Sequence, residues 1–167
     1  LKIEPKKYFL VTMHREENVD IKERLSNILT ALDKIEEQYE MPVICSLHPR
    51  TKNKMESFGV NLDNKKTYFH TPLGFIDFIA LEQEAFCVIT DSGTVQEECC
   101  ILKVPNVTIR DVTERPETIE VGSNILSGIS YEKIIENLCT ILNEPTYWEP
   151  PAEYLTKNTS SSVVKII

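Results

Sequence analysis

Ala85-Phe86-Cys87-Val88-Ile89-Thr90-Asp91-Ser92-Gly93-Thr94-Val95-Gln96-Glu97-Glu98 reads as a buried strand that passes within three residues into a helix. The apolar run 85–90 does not alternate, which marks a strand covered on both faces, and such strands belong to parallel sheets flanked by helices. Upstream, Tyr8-Phe9-Leu10-Val11 and Val43-Ile44-Cys45-Ser46-Leu47 are runs of the same kind, and Thr67-Tyr68-Phe69 is a weaker one. Downstream, strands are expected at 106–110 and near Asn124-Ile125-Leu126. Helical periodicity fills the gaps. Ile21, Leu25, Ile28, Leu29, Leu32 and Ile35 define a helix over 20–40, with Asp20 as its N-cap and Glu23 completing a capping box. A shorter helix over 51–58 ends at Gly59, and Phe75, Phe78 and Ile79 mark a short one after Pro72-Leu73-Gly74. A helix over 94–102 follows the opening strand, an irregular charged stretch follows 110, and Ser130 caps a last helix carrying Ile134, Ile135, Leu138, Ile141 and Leu142. The fold class is α/β: a Rossmann-like parallel sheet with helices on both faces.

The 167 residues fit one domain, here 1–167, with 41% apolar and 26% charged residues and a net charge of −8. That charge excludes a whole-surface attraction to nucleic acid or anionic membrane, though not a local cationic pocket. No apolar run approaches the roughly 18 residues that cross a bilayer. The five cysteines form no C-x-x-C pair, and with three histidines no metal-ligand spacing appears. Reduced thiols in a cytoplasmic protein are expected, Cys45 and Cys87 serving as small core residues. The chain starts on Leu1 with a strand close behind, which reads as a piece of a longer polypeptide; Glu144 to Pro151 reads as a connection to a terminal segment, 152–167, that packs or crosses elsewhere.

Ligands of open parallel sheets bind beyond the carboxyl ends of the strands. Four such ends carry unusual polar residues. Thr12-Met13-His14-Arg15-Glu16-Glu17-Asn18 sets an imidazole beside a guanidinium, two donors suited to an anion, or alternatively a loop of locally paired charges. Ser46-Leu47-His48-Pro49-Arg50 repeats the pattern, although His-Pro is also a plain turn. Ser92, Gly93 and Thr94 bring hydroxyl and N–H groups to a helix N-terminus, a ready anion site, while Thr94 and Glu97 also fit a capping box. Glu98, one turn on, is placed to accept hydrogen bonds from a ribose diol. Arg110-Asp111-Val112-Thr113-Glu114-Arg115-Pro116-Glu117 is either a solvated charged loop or, given its neighbour, a ligand-facing one. Phe78 is either a core residue or an aromatic rim for a nucleobase.

Together, Thr12 to Asn18, Thr90-Asp91-Ser92-Gly93 with Gln96-Glu97-Glu98, and Thr113-Glu114-Arg115-Pro116-Glu117 resemble the C-terminal half of the non-hydrolysing UDP-N-acetylglucosamine 2-epimerase family, over nearly the whole chain. The resemblance implies the C-terminal half of a GT-B fold, two Rossmann-like domains with a UDP-sugar between them. It implies that Ser92, Gly93 and Thr94 hold the diphosphate, Glu98 the ribose hydroxyls, and Phe78 the neighbourhood of the uracil. His14 and Arg115 match catalytic positions, and Arg15 and His48 match positions that contact a second, allosteric UDP-sugar in some members.

The implied reaction inverts C2 of a UDP-N-acetylhexosamine by elimination and re-addition of UDP, with no cofactor or metal. The implied partners are UDP, its sugar, a missing N-terminal domain that carries the acid/base carboxylates, and a second subunit in a homodimer. Alone, this piece is expected to bind nucleotide weakly and not to epimerise. Pro72 to Cys87, Thr94 and Cys100-Ile101-Leu102 are similar to the branch acting on UDP-2-acetamido-2,6-dideoxy-L-talose, which makes UDP-N-acetyl-L-fucosamine for capsule or O-antigen. Two alternatives remain: a GT-B glycosyltransferase donor domain, and a non-enzymatic nucleotide-sugar sensor.

Overall fold

The computed structural model describes residues 3–60, 67–144 and 147–166, apart from the side chain of residue 162. Six parallel strands form one sheet in the order β3-β2-β1-β4-β5-β6: β1 (Phe9–Met13), β2 (Val43–Leu47), β3 (Thr67–His70), β4 (Cys87–Thr90), β5 (Asn106–Thr108) and β6 (Asn124–Leu126). The central strand β1 pairs with β2 on one side, Phe9 opposite Val43, and with β4 on the other, Phe9 opposite Cys87. Side chains alternate across the sheet and build two cores. Phe9, Val11, Met13, Val43, Cys45 and Ile89 face helices α2 (Lys22–Tyr39), α3 (Pro49–Phe58) and α7 (Tyr131–Asn143), which contribute Leu25, Ile28, Leu32, Met55, Ile134 and Leu138. Leu10, Ile44 and Val88 face the opposite way, towards Phe78 and Leu81 of α4 (Phe75–Gln83) and Val95 and Cys99 of α5 (Gly93–Leu102). At roughly 1.5–3 kcal/mol for each fully buried aliphatic side chain, these two layers are the main stabilising term. Among the described residues no helix is long and apolar enough to cross a membrane.

Local rules explain most boundaries, and they correct several expectations. Glu16–Val19 forms an additional helical turn, α1. Asp20 therefore terminates α1 with helical dihedrals, φ −86 and ψ −11, whereas an N-cap needs extended backbone. Ile21 takes the N-cap position of α2 without a side-chain cap, and the Asp20 carboxylate accepts from Arg50 Nε at 3.2 Å instead of from the helix. Thr94 does not open a capping box either: Ser92 is the N-cap of α5, which puts Thr94 inside the helix and leaves Glu97 to pair with Arg115. His48 caps α3, its Nδ1 accepting from Arg50 N at 3.2 Å, and Gly59 ends that helix at φ +66. Ser130 caps α7, accepting from Lys133 N at 3.3 Å, as the sequence predicts.

The charged stretch after β5 is not wholly irregular, because Pro116, with its φ fixed near the helical value, starts the short helix α6 (Pro116–Glu120). β4 and β5 are shorter than expected, and Ile109 and Arg110 fall beyond the end of β5. The five cysteines are free, all but Cys139 buried. Within the proline-rich connection, whose residues 145 and 146 lie outside the described residues, as does 167 at the end of the terminal segment, Trp148 is only 4% exposed and donates Nε1–H to Cys100 O at 2.9 Å. A 3-10 turn, Ala152–Leu155, and a final helix, α8 (Thr159–Ile166), follow; Val163, Val164 and Ile166 of α8 are exposed.

Candidate nucleotide site

Chain connections leave β1 and β4 in opposite directions, which opens a crevice beyond their carboxyl ends. The residue that organises this crevice is Asp91, the first after β4 and fully buried. Its carboxylate accepts from His14 N at 3.1 Å, Arg15 N at 2.9 Å and Asn18 Nδ2 at 3.1 Å, so the loop after β1 is wrapped around a single anion. The same carboxylate lies 3.3 Å from His14 Nδ1, which sets the imidazole beside the buried acidic group. Sequence reasoning quoted Asp91 within a motif and gave it no role. Its signal is a carboxylate directly after a buried strand, a place where a charge persists only when partnered.

Beside Asp91, the N-terminus of α5 supplies Ser92 and Gly93. The Ser92 N–H donates to Thr90 Oγ1 at 3.0 Å, which fixes the turn. A Cβ added to Gly93 would meet no heavy atom within 4 Å, so open space adjoins the first turn of the helix, where unpaired N–H groups and the helix dipole favour an anion. Thr94 is exposed at the same end. Glu98 lies half-buried one turn along, its carboxyl pushed up by burial and then by neighbouring Glu97. Phe78 of α4 is half-buried and packs on the core shared by α4 and α5, so it serves the core while keeping an accessible edge.

Around this centre most cations are already paired. Arg110 is 4% exposed and forks onto Glu114, at 2.6 and 3.0 Å, while its Nε donates to Glu17 at 3.0 Å. The guanidinium holds the Glu114 carboxyl down at about 2. Arg110 thus braces two loops and is turned away from a ligand-facing role. Arg24 pairs with Asp111, and Arg50 with Glu16 and Asp20. Arg115 donates Nε–H to Glu97 and an Nη1–H to Glu114 O at 2.9 Å. Arg15 differs: its Nε is buried and has no hydrogen-bond partner among the described residues. His48 stands beside His14, ring centroids 6.3 Å apart.

The structure therefore brings His14, Arg15 and His48 together with Ser92, Gly93 and Thr94 at the ends of β1, β2 and β4. Glu98 and Phe78 lie on adjacent helices, and Arg115 lies across α5 at Glu97. A crevice of helix N–H groups, imidazoles and a guanidinium whose buried Nε has no hydrogen-bond partner among the described residues is suited to a polyanionic ligand.

The family model described as UDP-N-acetylglucosamine 2-epimerase matches residues 1–167. The UDP-N-acetylglucosamine 2-epimerase of Methanocaldococcus jannaschii is 50% identical over 147 residues, 86% of this chain and 40% of that protein. A solved structure of the M. jannaschii enzyme in complex with UDP-GlcNAc and UDP superposes with a TM-score of 0.90 at 46% identity, covering 95% of this chain and 44% of that one. UDP-2,3-diacetamido-2,3-dideoxy-D-glucuronate 2-epimerase of Pseudomonas aeruginosa is 38% identical, over 82% of this chain and 38% of its own length. The chain thus spans about two-fifths of the curated relatives it matches. With the six-stranded parallel sheet in the architecture of those GT-B-type neighbours and the motifs at its strand ends in place, the chain belongs to the UDP-N-acetylglucosamine 2-epimerase family.

Proposed function

We propose that this chain is the nucleotide half of a UDP-N-acetylhexosamine 2-epimerase. In this reading the N-terminus of α5, with Ser92, Gly93 and Thr94, holds the diphosphate, Glu98 accepts the ribose hydroxyls, and Phe78 borders the uracil. The observation that carries it is the open space in front of Gly93, at a helix N-terminus next to a carboxylate-organised histidine loop.

His14 and Arg115 act at the diphosphate. Elimination removes the proton from C2 and breaks the bond between C1 and the phosphate oxygen, so the electron pair leaves with UDP and a glycal remains. Re-addition returns UDP to C1 and a proton to the other face of C2. Negative charge on the departing UDP is greatest in the transition state, where donors preset to receive it contribute most. His14, its ring set beside the buried Asp91 carboxylate, is placed to be such a donor. The carboxylates that move the C2 proton belong to the part of the enzyme outside this chain, as does most of the sugar pocket. Arg15, after β1, and His48, after β2, form the part of the crevice for a second UDP-sugar.

The substrate we favour is UDP-N-acetylglucosamine, epimerised to UDP-N-acetylmannosamine, because two methanococcal relatives, 50% and 43% identical, bear the name UDP-N-acetylglucosamine 2-epimerase. UDP-2-acetamido-2,6-dideoxy-L-talose is the competing substrate.

Titration of the protein with UDP, followed by amide NMR with AMP as control, tests the nucleotide half. Saturable shifts confined to Ser92–Glu98 and Phe78, and about tenfold weaker binding by Ser92→Ala, a loss of about 1.4 kcal/mol, are expected. Equal shifts with AMP would remove the reading. Product analysis of the full-length enzyme with each UDP-sugar separates the substrates, and formation of a glycoside in place of an epimer would mark a glycosyltransferase.

A further inference from the structure

Arg115 is held by its backbone as well as by its side chain. Its N–H donates to Thr113 Oγ1 at 3.1 Å, and its carbonyl accepts from Thr118 Oγ1 at 2.8 Å and Thr118 N at 3.1 Å. The two hydroxyls lead back to the same buried amides. Thr113 Oγ1–H donates to Gln96 Oε1 at 2.7 Å, and Asn124 Nδ2 donates both to that Gln96 oxygen at 3.3 Å and to Thr118 Oγ1 at 3.1 Å. A closed ring of hydrogen bonds results, running from Gln96 through Thr113, Arg115, Thr118 and Asn124 back to Gln96.

The ring has one consistent assignment. Gln96 Oε1 must accept, since turning its amide would set an NH2 group against that of Asn124. Its Nε2 then donates to Ser92 O at 3.2 Å, which ties the ring to the N-cap of α5. Asn124 Oδ1 accepts from Thr108 Oγ1 at 2.8 Å, which ties it to β5. Gln96 and Asn124 are buried, so water is a poor substitute for a lost partner. Within the ring Thr113 is the link: one hydroxyl accepts a hydrogen bond from the Arg115 N–H and donates one to Gln96 Oε1.

We propose that Thr113 is a positioning residue that fixes Arg115 relative to Ser92, so that the arginine and the start of α5 meet the ligand as one unit. The proposal rests on the reading of Ser92 and Arg115 as diphosphate contacts. It takes the form of coupling: removing the hydroxyl should matter only while the arginine is present.

The test compares Thr113→Val, Thr113→Ser, Arg115→Ala and the double variant Thr113→Val with Arg115→Ala, by UDP affinity, and follows the Arg115 Nε–H resonance by NMR in the first two. Thr113→Val is expected to shift or broaden that resonance and to weaken UDP about fivefold or more, and Thr113→Ser to restore both. In the Arg115→Ala background Thr113→Val should change UDP affinity less than twofold, whatever it does to the melting temperature. An unmoved Nε–H signal in Thr113→Val, or an equal loss of affinity in both backgrounds, overturns the proposal. If Ser92→Ala and Arg115→Ala both leave UDP affinity unchanged while the Nε–H signal still moves with Thr113, the nucleotide reading has failed and with it the functional half of the proposal; the backbone coupling alone survives.

Discussion

At Gly93 the fold and the proposed ligand make opposite demands. Nothing stands within 4 Å of an added Cβ and the backbone is not in a left-handed conformation, so the fold tolerates alanine and gains about 0.4–1 kcal/mol from a stiffer unfolded chain. The methyl group would occupy the space proposed for the diphosphate. Gly93→Ala is therefore expected to keep or raise the urea midpoint while UDP affinity falls tenfold or more by calorimetry; undiminished affinity would place the ligand elsewhere. Asp91 is the converse case. Its negative charge is shared among two backbone N–H groups and Asn18, and Asp91→Asn, which sets an NH2 group against donors, should cost about 2 kcal/mol in urea unfolding and release the His14 loop.

Glu82 adds a pH dependence. It is fully buried on α4, receives Cys99 Sγ–H at 3.1 Å, and has one oxygen without a partner among the described residues. Burial lifts its carboxyl to about 7, with the negative Glu98 nearby adding to the rise. Because the folded chain holds this proton more tightly than the unfolded chain, the group's favourable contribution is complete below pH 4.5 and is lost as pH rises through 7. Unfolding measured at pH 5 and pH 8.5 should show Glu82→Gln flattening this decline by about 3 kcal/mol. Parallel profiles for the two proteins would sink the assignment.

Among the elements, the C-terminal segment has its buried anchor at Trp148. Trp148 buries its ring, donates to Cys100 O, and has its own carbonyl held by Lys103 Nζ, while Tyr154 of the 3-10 turn donates to Glu117. Trp148→Ala should cost about 3–5 kcal/mol and open the stretch after 144 to proteases before the sheet unfolds. Such an anchor is hard to read in sequence, since its acceptor is a helix carbonyl 48 residues away. The long elements are another matter. Leu25 to Ile35 announce a helix by their spacing and the run 85–90 a covered strand by its lack of alternation, and the structure has α2 and, over 87–90, β4 there. The four-residue α1 and five-residue α6 are too short to show a period, and missing α1 is what misplaced Asp20 as a cap. Ser92, Gly93, His14 and Arg15 were legible because they follow strands. Asp91 and the hydrogen-bonded ring were not, because a buried polar group is defined by partners brought from distant segments.

For the molecule as a whole, the strand order decides where function sits, and the chain's share of its relatives decides how much of it to expect. With about two-fifths of the relatives' length present, the protein incubated with UDP-N-acetylglucosamine should yield no epimer detectable by NMR and should still bind UDP. Turnover by this chain alone would overturn the division of labour proposed above.

The central position of β1 carries a consequence for synthesis. Its first partner, β2, follows soon after it, but its second, β4, and the carboxylate that gathers the His14 loop are made much later, 77 residues beyond His14 in the case of Asp91. At roughly 5–20 residues per second a ribosome needs on the order of 4–15 s to supply them. During that interval the growing chain exposes an apolar strand edge and a histidine loop with nothing to close on.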